Sequence, residues 1–464
     1  MTFRYSIIAV MMTTLLGCAS TSDSDFATQA SNSQIQSIEL LVEKYQQSTP
    51  DSSDLEPNQI TDLVNVPELD EYLSTAFTHS PSLQQSILAL KIAYAQEGIR
   101  FADQLPTVNA GLSRQYAEDS EDHYNADLTV SWELDLWQRL ADITAASGKD
   151  IAATQANLQN AQALLAANVM RGWLEISVNQ QLLKIEQRRL DILSNNETLV
   201  LERYRVGLGT LEELDNAKTS TASSRATLAQ YQENLAQSQR SLVLLTGEWN
   251  SEASAITVAE RFPQIINPLD SMSVQDLSGR PDLQQAFFNI EAEGLRTDAA
   301  YKAMLPSFSL SASLQDMAET PSQALFSNPL WSALGSISAP LFQGGKLKAN
   351  AEIAELTTEQ AYWTYQETLL NAVNEVENAI GQESALAKQQ HHLNDALSSA
   401  QRSVVSYEEK YRQGLVDIFD LLTVQQQAYD VEALLTNTTY LRLLNRIDLG
   451  LALGLGTTGL GEKA

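Results

Sequence analysis

Few side chains in this sequence are placed to do chemistry. Cys18 is the only cysteine, and it ends an apolar run near the N-terminus, in "MTFRYSIIAVMMTTLLGCAS". As the single cysteine, it leaves no second thiol with which to form a disulfide. The four histidines are His79, His123, His391 and His392. They are scattered except for the last pair, which reads as a solvated helix face. No HExxH, GxSxG or glycine-rich phosphate loop occurs in a supporting context. The seven methionines are dispersed, three of them at Met1, Met11 and Met12, so no relay for soft metals is visible. No catalytic group, metal or cofactor is therefore expected. The formal net charge of −29 argues against nucleic acid as a partner, since phosphate binding needs clustered Lys and Arg.

The first 17 residues read as an export signal. Arg4 precedes an apolar run from Tyr5 to Leu16 that is too short to span a bilayer as a helix. Leu15, Gly17 and Cys18 resemble a bacterial lipoprotein signal, in which the cysteine is acylated and becomes the first residue of the mature chain. Leu16 is a slightly unusual occupant of its place. Ala19, rather than Asp, follows the cysteine and implies sorting to the outer membrane. No later segment offers the 18 or so consecutive apolar residues of a transmembrane helix.

The chain also repeats itself. "PSLQQSILALKIAYAQEGIRFADQLPTVNAGL" begins at Pro81, and "PDLQQAFFNIEAEGLRTDAAYKAMLPSFSLSA" begins at Pro281. The pairs Leu105-Pro106 and Leu305-Pro306 keep the same offset of 200. Further on, "RYRVGLGTLEEL" is echoed by "KYRQGLVDIFDLL", with Tyr204 matching Tyr411 and Gly207 matching Gly414 at an offset of 207. No proline lies between Pro106 and Pro263 or after Pro340, which permits long helices. Val169, Ile176, Leu183 and Leu190 recur every seven residues, and Leu369, Val373, Val376 and Ile380 step 4-3-4. These are seams for helix-on-helix packing of the coiled-coil type. The pattern predicts long helices over about 140–206 and 346–413, each roughly 100 Å long. Short helices are expected at about 81–105 and 281–305, and return helices at about 211–246 and 416–453. A short and a return helix end to end match one long helix in length. The repeated glycine phrase then marks the hairpin at which each long helix reverses.

Strands are expected between the short and long helices. In "YNADLTVSWELDL", Tyr124, Ala126, Leu128, Val130, Trp132 and Leu134 alternate with Asn125, Asp127, Thr129, Ser131 and Glu133. In "SFSLSASLQ", Phe308, Leu310, Ala312 and Leu314 alternate with Ser307, Ser309, Ser311 and Ser313. "TVNAGLSRQY" and "LWSALGSISAPL" follow more loosely. Period two produces a strand with one greasy and one wet face. A soluble sheet covering a core and a transmembrane barrel both satisfy it; the export signal and the serine-rich face favour the barrel. Four strands cannot close a barrel, and an open edge in lipid leaves backbone groups unpaired. Several copies would have to share one barrel, and three copies would supply about 12 strands.

The duplicated Leu-Pro before a strand pair, the duplicated "YRxG" hairpin and the lipoprotein signal together resemble the TolC-like outer-membrane efflux proteins, in particular their OprM/NodT-type lipoprotein branch. The likeness covers about residues 60–455. It implies a mainly α chain with a small β part: long antiparallel coiled-coil helices forming a periplasmic α-barrel, and four strands per chain in a shared outer-membrane β-barrel of a homotrimer. It also implies a passive exit duct, not an enzyme, that works with a periplasmic adaptor (membrane fusion) protein and an inner-membrane transporter. In the family the hairpin tips meet the adaptor; carried onto this chain, those residues are Val206, Gly207, Leu208, Gly209 and Thr210, and Gln413, Gly414, Leu415 and Val416. Candidates for closing the aperture are Phe419, Asp420 and Thr423. The OprM-like pattern often has an acidic residue where this chain has Thr423, which leaves Asp420 to supply one.

The expected organisation is a signal over 1–17, a linker and collar segment over 18–79, and a first repeat over 80–247 with strand pair 107–135 and tip 206–210. A collar segment over 248–279 follows. The second repeat runs over 280–453 with strand pair 306–341 and tip 413–417, and a tail over 454–464 ends the chain. A structural coiled-coil lipoprotein without channel activity would explain the heptads and the lipid signal, but not the duplicated strand pairs.

Overall fold

The structure is a computed structural model that describes residues 25–45, 59–64, 66–116, 123–248, 256, 262–263, 277, 279–325 and 327–457. The export signal, Cys18 and most of the 248–279 segment lie outside the described residues. Proline-free stretches rich in Ala, Gln, Glu and Leu do form uninterrupted helices. In chain order the elements are α1 (Phe26–Tyr45), a 3-10 turn (Ile60–Leu63), α2 (Pro67–His79), α3 (Pro81–Ala102), β1 (Thr107–Gln115) and β2 (His123–Leu134). Then come α4 (Arg139–Arg205), α5 (Leu211–Thr246), α6 (Pro281–Lys302), β3 (Ser307–Ala318), β4 (Leu330–Ser338), α7 (Lys346–Arg412) and α8 (Ile418–Ala452). Both long helices, α4 and α7, have 67 residues. The helix α1 was not expected, because its residues read from sequence as linker.

Contacts divide the chain into two units, one drawing on 1–36, 87–157 and 282–369, the other on 37–86, 158–281 and 370–464. The first unit holds a single antiparallel sheet in the order β1-β2-β3-β4. The central pairing, β2 with β3, joins the two repeats in register from Tyr124 opposite Ala318 to Leu134 opposite Phe308. Around the sheet's base, α4 meets α6 through ion pairs of Asp142 with Lys302, Asp150 with Arg296, and Lys149 with Glu291 at 2.9 Å. Each is partly exposed and contributes at most about 1 kcal/mol. The helices α6 and α7 meet through Thr297 and Thr358, 2.9 Å apart, and through the edge of Phe287 on Tyr365. The first residues of α1 lie on α7, where Phe26 meets Tyr362 and Gln366 donates to Ser33 at 3.0 Å.

Among its described residues the second unit is mostly helix. Met170, Trp173, Leu174, Ile176, Leu242 and Ile447 are fully enclosed in its core. The heptad seam shifts along α4. Val169 and Ile176 are buried, but Leu183 and Leu190 are half-exposed, and Ile185, Leu193 and Val200 are buried instead. An α-helix drifts by roughly 20° per heptad against a strict seven-residue repeat, so the buried face of a 67-residue helix must change residues. On α7, Leu369 and Val376 are buried, whereas Val373 and Ile380 give way to Ala372 and Ala379. Charge is buried here too. Glu383 accepts from Arg442 at 2.7 Å and lies 3.4 Å from Arg446, and Arg280 donates to Glu375 at 2.8 Å and to the Ala452 carbonyl at 3.0 Å.

Candidate functional site: the open sheet and the hairpin tips

The sheet keeps its two kinds of face across all four strands. Ala110, Leu128, Leu314 and Trp331 form one apolar row, and Val108, Val130, Ala312 and Ala333 form the next. On the other face Asn109, Thr129, Ser313 and Ser332 make a row of amide and hydroxyl groups. Ser313 and Ser332 lie 2.8 Å apart, and Ser309 and Ser336 lie 2.7 Å apart. Two residues break the alternation on β4, where Leu330 and Leu334 join the polar face. Arg114 breaks it on β1, and Asp316 and Met317 break it on β3; Asp316 is buried on the apolar face and accepts the Asn328 N–H at 2.9 Å, closing the β3–β4 connection. All nine residues of β1 and all nine of β4 are exposed, and so are Leu128, Trp132 and Leu310. A soluble sheet would hide that apolar face beneath helices. Among the described residues, β1 and β4 each pair on one side only, so the sheet has two open edges.

Two tryptophans anchor the base of the sheet. Trp132 Nε1 donates to the Gln104 carbonyl at 2.9 Å, and Trp137 Nε1 donates to the Pro306 carbonyl at 2.6 Å with its ring tilted against Phe308. An indole suits a place with one apolar and one wet side.

The tips lie in the second unit and share one construction. The α4 helix ends with Gly207 at φ +77°. Its N–H donates to the Tyr204 carbonyl at 3.0 Å, and the Leu208 N–H reaches back to the Arg203 carbonyl at 2.8 Å. The end of α7 copies this: Gly414, at φ +71°, donates to Tyr411 at 2.9 Å, and Leu415 donates to Lys410 at 2.9 Å. Both are left-handed glycine caps that satisfy carbonyls at a helix end. The return helices then open on reciprocal caps. Thr210 Oγ1 accepts the Glu213 N–H at 3.2 Å, while the Glu213 carboxylate accepts the Thr210 N–H at 2.9 Å. Asp417 and Asp420 do the same, at 2.9 and 3.3 Å. This signature, a capping residue followed three later by an acid, is legible in the sequence itself. It also explains why α8 starts at Ile418 rather than near 416.

Val206, Leu208 and Leu415 are about seven-tenths exposed, a high value for side chains of this kind. Gly209 and Val416 are half-exposed, while Gly207, Thr210, Gln413 and Gly414 are exposed. The three aperture candidates have local duties. Phe419 packs on Val200, Leu214 and Ala217, binding the second hairpin to the first. Asp420 serves the α8 cap, and the Thr423 hydroxyl donates to the Phe419 carbonyl at 2.8 Å. Cys18 lies outside the described residues.

Sequence reasoning missed the ties between α4 and α8. Arg171 pairs with Asp448, Arg188 with Glu432 at 2.7 Å, and Arg189 with Asp430, with both Arg188 and Arg189 against the Tyr429 ring. These partners stand more than 240 residues apart in sequence, and no short motif announces them. Among the described residues no cluster of His, Cys, Asp or Glu could hold a metal ion, and no helix is long and apolar enough to cross a membrane.

Comparison with known proteins agrees with this architecture. The model of the outer membrane efflux protein family matches residues 72–248 and 273–455. The probable outer membrane lipoprotein SilC of Salmonella typhimurium is 25% identical over 441 residues, covering 90% of this chain and 95% of SilC. The cation efflux system protein CusC of Escherichia coli K12 is 26% identical over 399 residues, covering 83% and 86%. The crystal structure of the Campylobacter jejuni CmeC outer membrane channel superposes with a TM-score of 0.79, covering 89% of this chain and 95% of that one; at 19% identity the likeness is one of fold. A mainly helical chain with one four-stranded sheet, matched by the family model in both of its repeats, belongs to the outer membrane efflux protein family.

Proposed function

We propose that three copies of this chain share one outer-membrane β-barrel and work as the passive exit duct of a tripartite efflux system. The observation that carries this reading is the sheet: an apolar face left uncovered, a hydroxyl face opposite it, and two open edges. In lipid those edges cannot stand unpaired, and a closed barrel is the only sheet that spans a bilayer. The apolar face would meet lipid, and the hydroxyl face would line a water-filled lumen. The long helices would continue as an α-barrel in the periplasm. Cys18 would carry the acyl chains, which assist the barrel in anchoring. The tips, with Val206, Leu208 and Leu415 uncovered, suit a periplasmic adaptor, which in turn joins an inner-membrane transporter that supplies the energy. The chain itself performs no reaction.

The test is to extract the protein in mild detergent, weigh it by native mass spectrometry, and record single-channel currents in planar bilayers. A conducting trimer is expected. A monodisperse monomer that still conducts would refute the shared barrel, and a trimer without conductance would favour a purely structural lipoprotein.

A further inference from the structure

The turn by which β4 leaves the sheet matches the turn after β2 in backbone but not in chemistry. At the offset of 207 that relates α4 to α7, Gly345 at φ +88° takes the left-handed place of Gln138 at φ +64°. Three acids hold the first junction. Glu133 pairs with Arg139 at 2.7 Å, Asp135 accepts the Ala141 N–H at 2.8 Å, and Asp142 pairs with Lys302. Their counterparts in the second junction are Pro340, Phe342 and Ala349. The acids are gone, but the cation stays: Lys346 stands where Arg139 stood, and Lys348 replaces Ala141. Between Glu319 and Glu352 these two lysines are the only charged residues, in a chain whose formal net charge is −29.

The apolar part of the turn is bare. Leu341 and Phe342 are each 89% exposed, more than any other large apolar side chain among the described residues. Leu341 continues the odd-numbered phase that sets Trp331, Ala333 and Ile337 on the apolar face of β4. The matching turn after β2 lies at the helix end of that face, since Trp137 rests against Phe308. Lys346 and Lys348 are exposed, and among the described residues no carboxylate pairs with either. They do nothing for α7 itself. Its first turn holds no acid, and a cation there opposes the helix dipole.

We infer that the β4–α7 junction binds acidic phospholipids of the leaflet on the tube side of the membrane, with Leu341 and Phe342 among the acyl chains and Lys346 and Lys348 at the phosphates. The inference rests on the reading that the apolar face of the sheet meets lipid. The patch is continuous with that face, and its charge is opposite to that of the headgroups. A lysine stem can lie along apolar surface while its ammonium reaches outward. Each lysine near an acidic lipid surface favours it by about fivefold. The β2–α4 junction is neutralised by its own carboxylates, so the preference for acidic lipid should come from the second junction alone.

The test reconstitutes the protein in phosphatidylcholine bilayers with and without phosphatidylglycerol. A nitroxide on Phe342→Cys should be reached by oxygen, which partitions into hydrocarbon, more than by a water-soluble nickel chelate; the unsubstituted protein is the blank for Cys18. Spin-labelled phosphatidylglycerol should associate with the protein in preference to spin-labelled phosphatidylcholine. Lys346→Gln with Lys348→Gln should lower that preference at least about fivefold. High salt should shrink it, and Lys346→Arg with Lys348→Arg should keep it. A nitroxide reached better by the chelate leaves the turn in water, and one shielded from both reagents is covered by a neighbouring copy; either overturns the inference. So does an unchanged preference in the glutamine variant. Ala333→Cys, on the apolar face of β4, checks the underlying reading separately. If the chelate reaches that label better than oxygen does, the sheet is not in lipid and that reading itself fails.

Discussion

Replacing Gly207 with alanine tests the hairpin tip where its chemistry is simplest. The residue sits at φ +77°, and a Cβ built on it meets no heavy atom within 4 Å. The cost of Gly207→Ala is therefore conformational and not steric. A left-handed alanine costs roughly 1–2 kcal/mol. The unfolded chain loses freedom with the same substitution, which offsets about 0.4–1 kcal/mol. The net loss is about 1 kcal/mol, or roughly fivefold in the local opening equilibrium. It should fall on the bond from the Leu208 N–H to the Arg203 carbonyl, which depends on the glycine cap. Amide hydrogen exchange at Leu208 should then quicken about fivefold, and Gly414→Ala should do the same at Leu415. Gly207→Asn should cost less, since asparagine tolerates this region. Gly98 supplies the opposite sign. It lies inside α3 with open space around it, so Gly98→Ala should stabilise by roughly 0.5–1 kcal/mol. Exchange at Leu208 that stays at the wild-type rate in Gly207→Ala would refute the argument from φ.

Three further outcomes are expected. Leu208→Asp and Leu415→Asp, at side chains about seven-tenths exposed, should leave trimer abundance unchanged but abolish efflux, because a carboxylate is costly to desolvate against a partner; normal drug accumulation at normal abundance would make the tips mere turns. Glu383→Ala removes the carboxylate shared by Arg442 and Arg446 and should cost about 3 kcal/mol or more, seen as a lower midpoint of thermal unfolding. Burial pushes the phenols of Tyr365 and Tyr440 up to about 12. Above pH 10 or so the unfolded chain releases these protons and the folded chain keeps them, so stability present below pH 10 should fall as pH rises toward 12; ultraviolet titration of Tyr365→Phe and Tyr440→Phe against wild type measures each phenol.

Local rules made much of this protein legible in its sequence. Gly207 and Gly414 announced the reversals because a helix end needs a left-handed residue, and only the immediate backbone decides that. The long helices lie within a residue of their expected ends, 139–205 against 140–206, because proline-free stretches of good helix formers have no competing conformation. Alternation sorted the two faces of β2 and β3 because the side-chain period of a strand is two, whatever surrounds it. Partnership was decided elsewhere. Leu183 and Ile185 are both apolar and both helical, and only the neighbouring helices determine that the second is buried. Phe419 and Asp420 stand in the sequence as aperture candidates, and only the folded chain packs the one against the cluster of Val200, Leu214 and Ala217 and bonds the other to the Asp417 N–H. Arg188 and Glu432 carry no mark of each other in the chain. Sequence specifies what a residue can do within its own few turns, and contacts across hundreds of residues select which of those capacities is used.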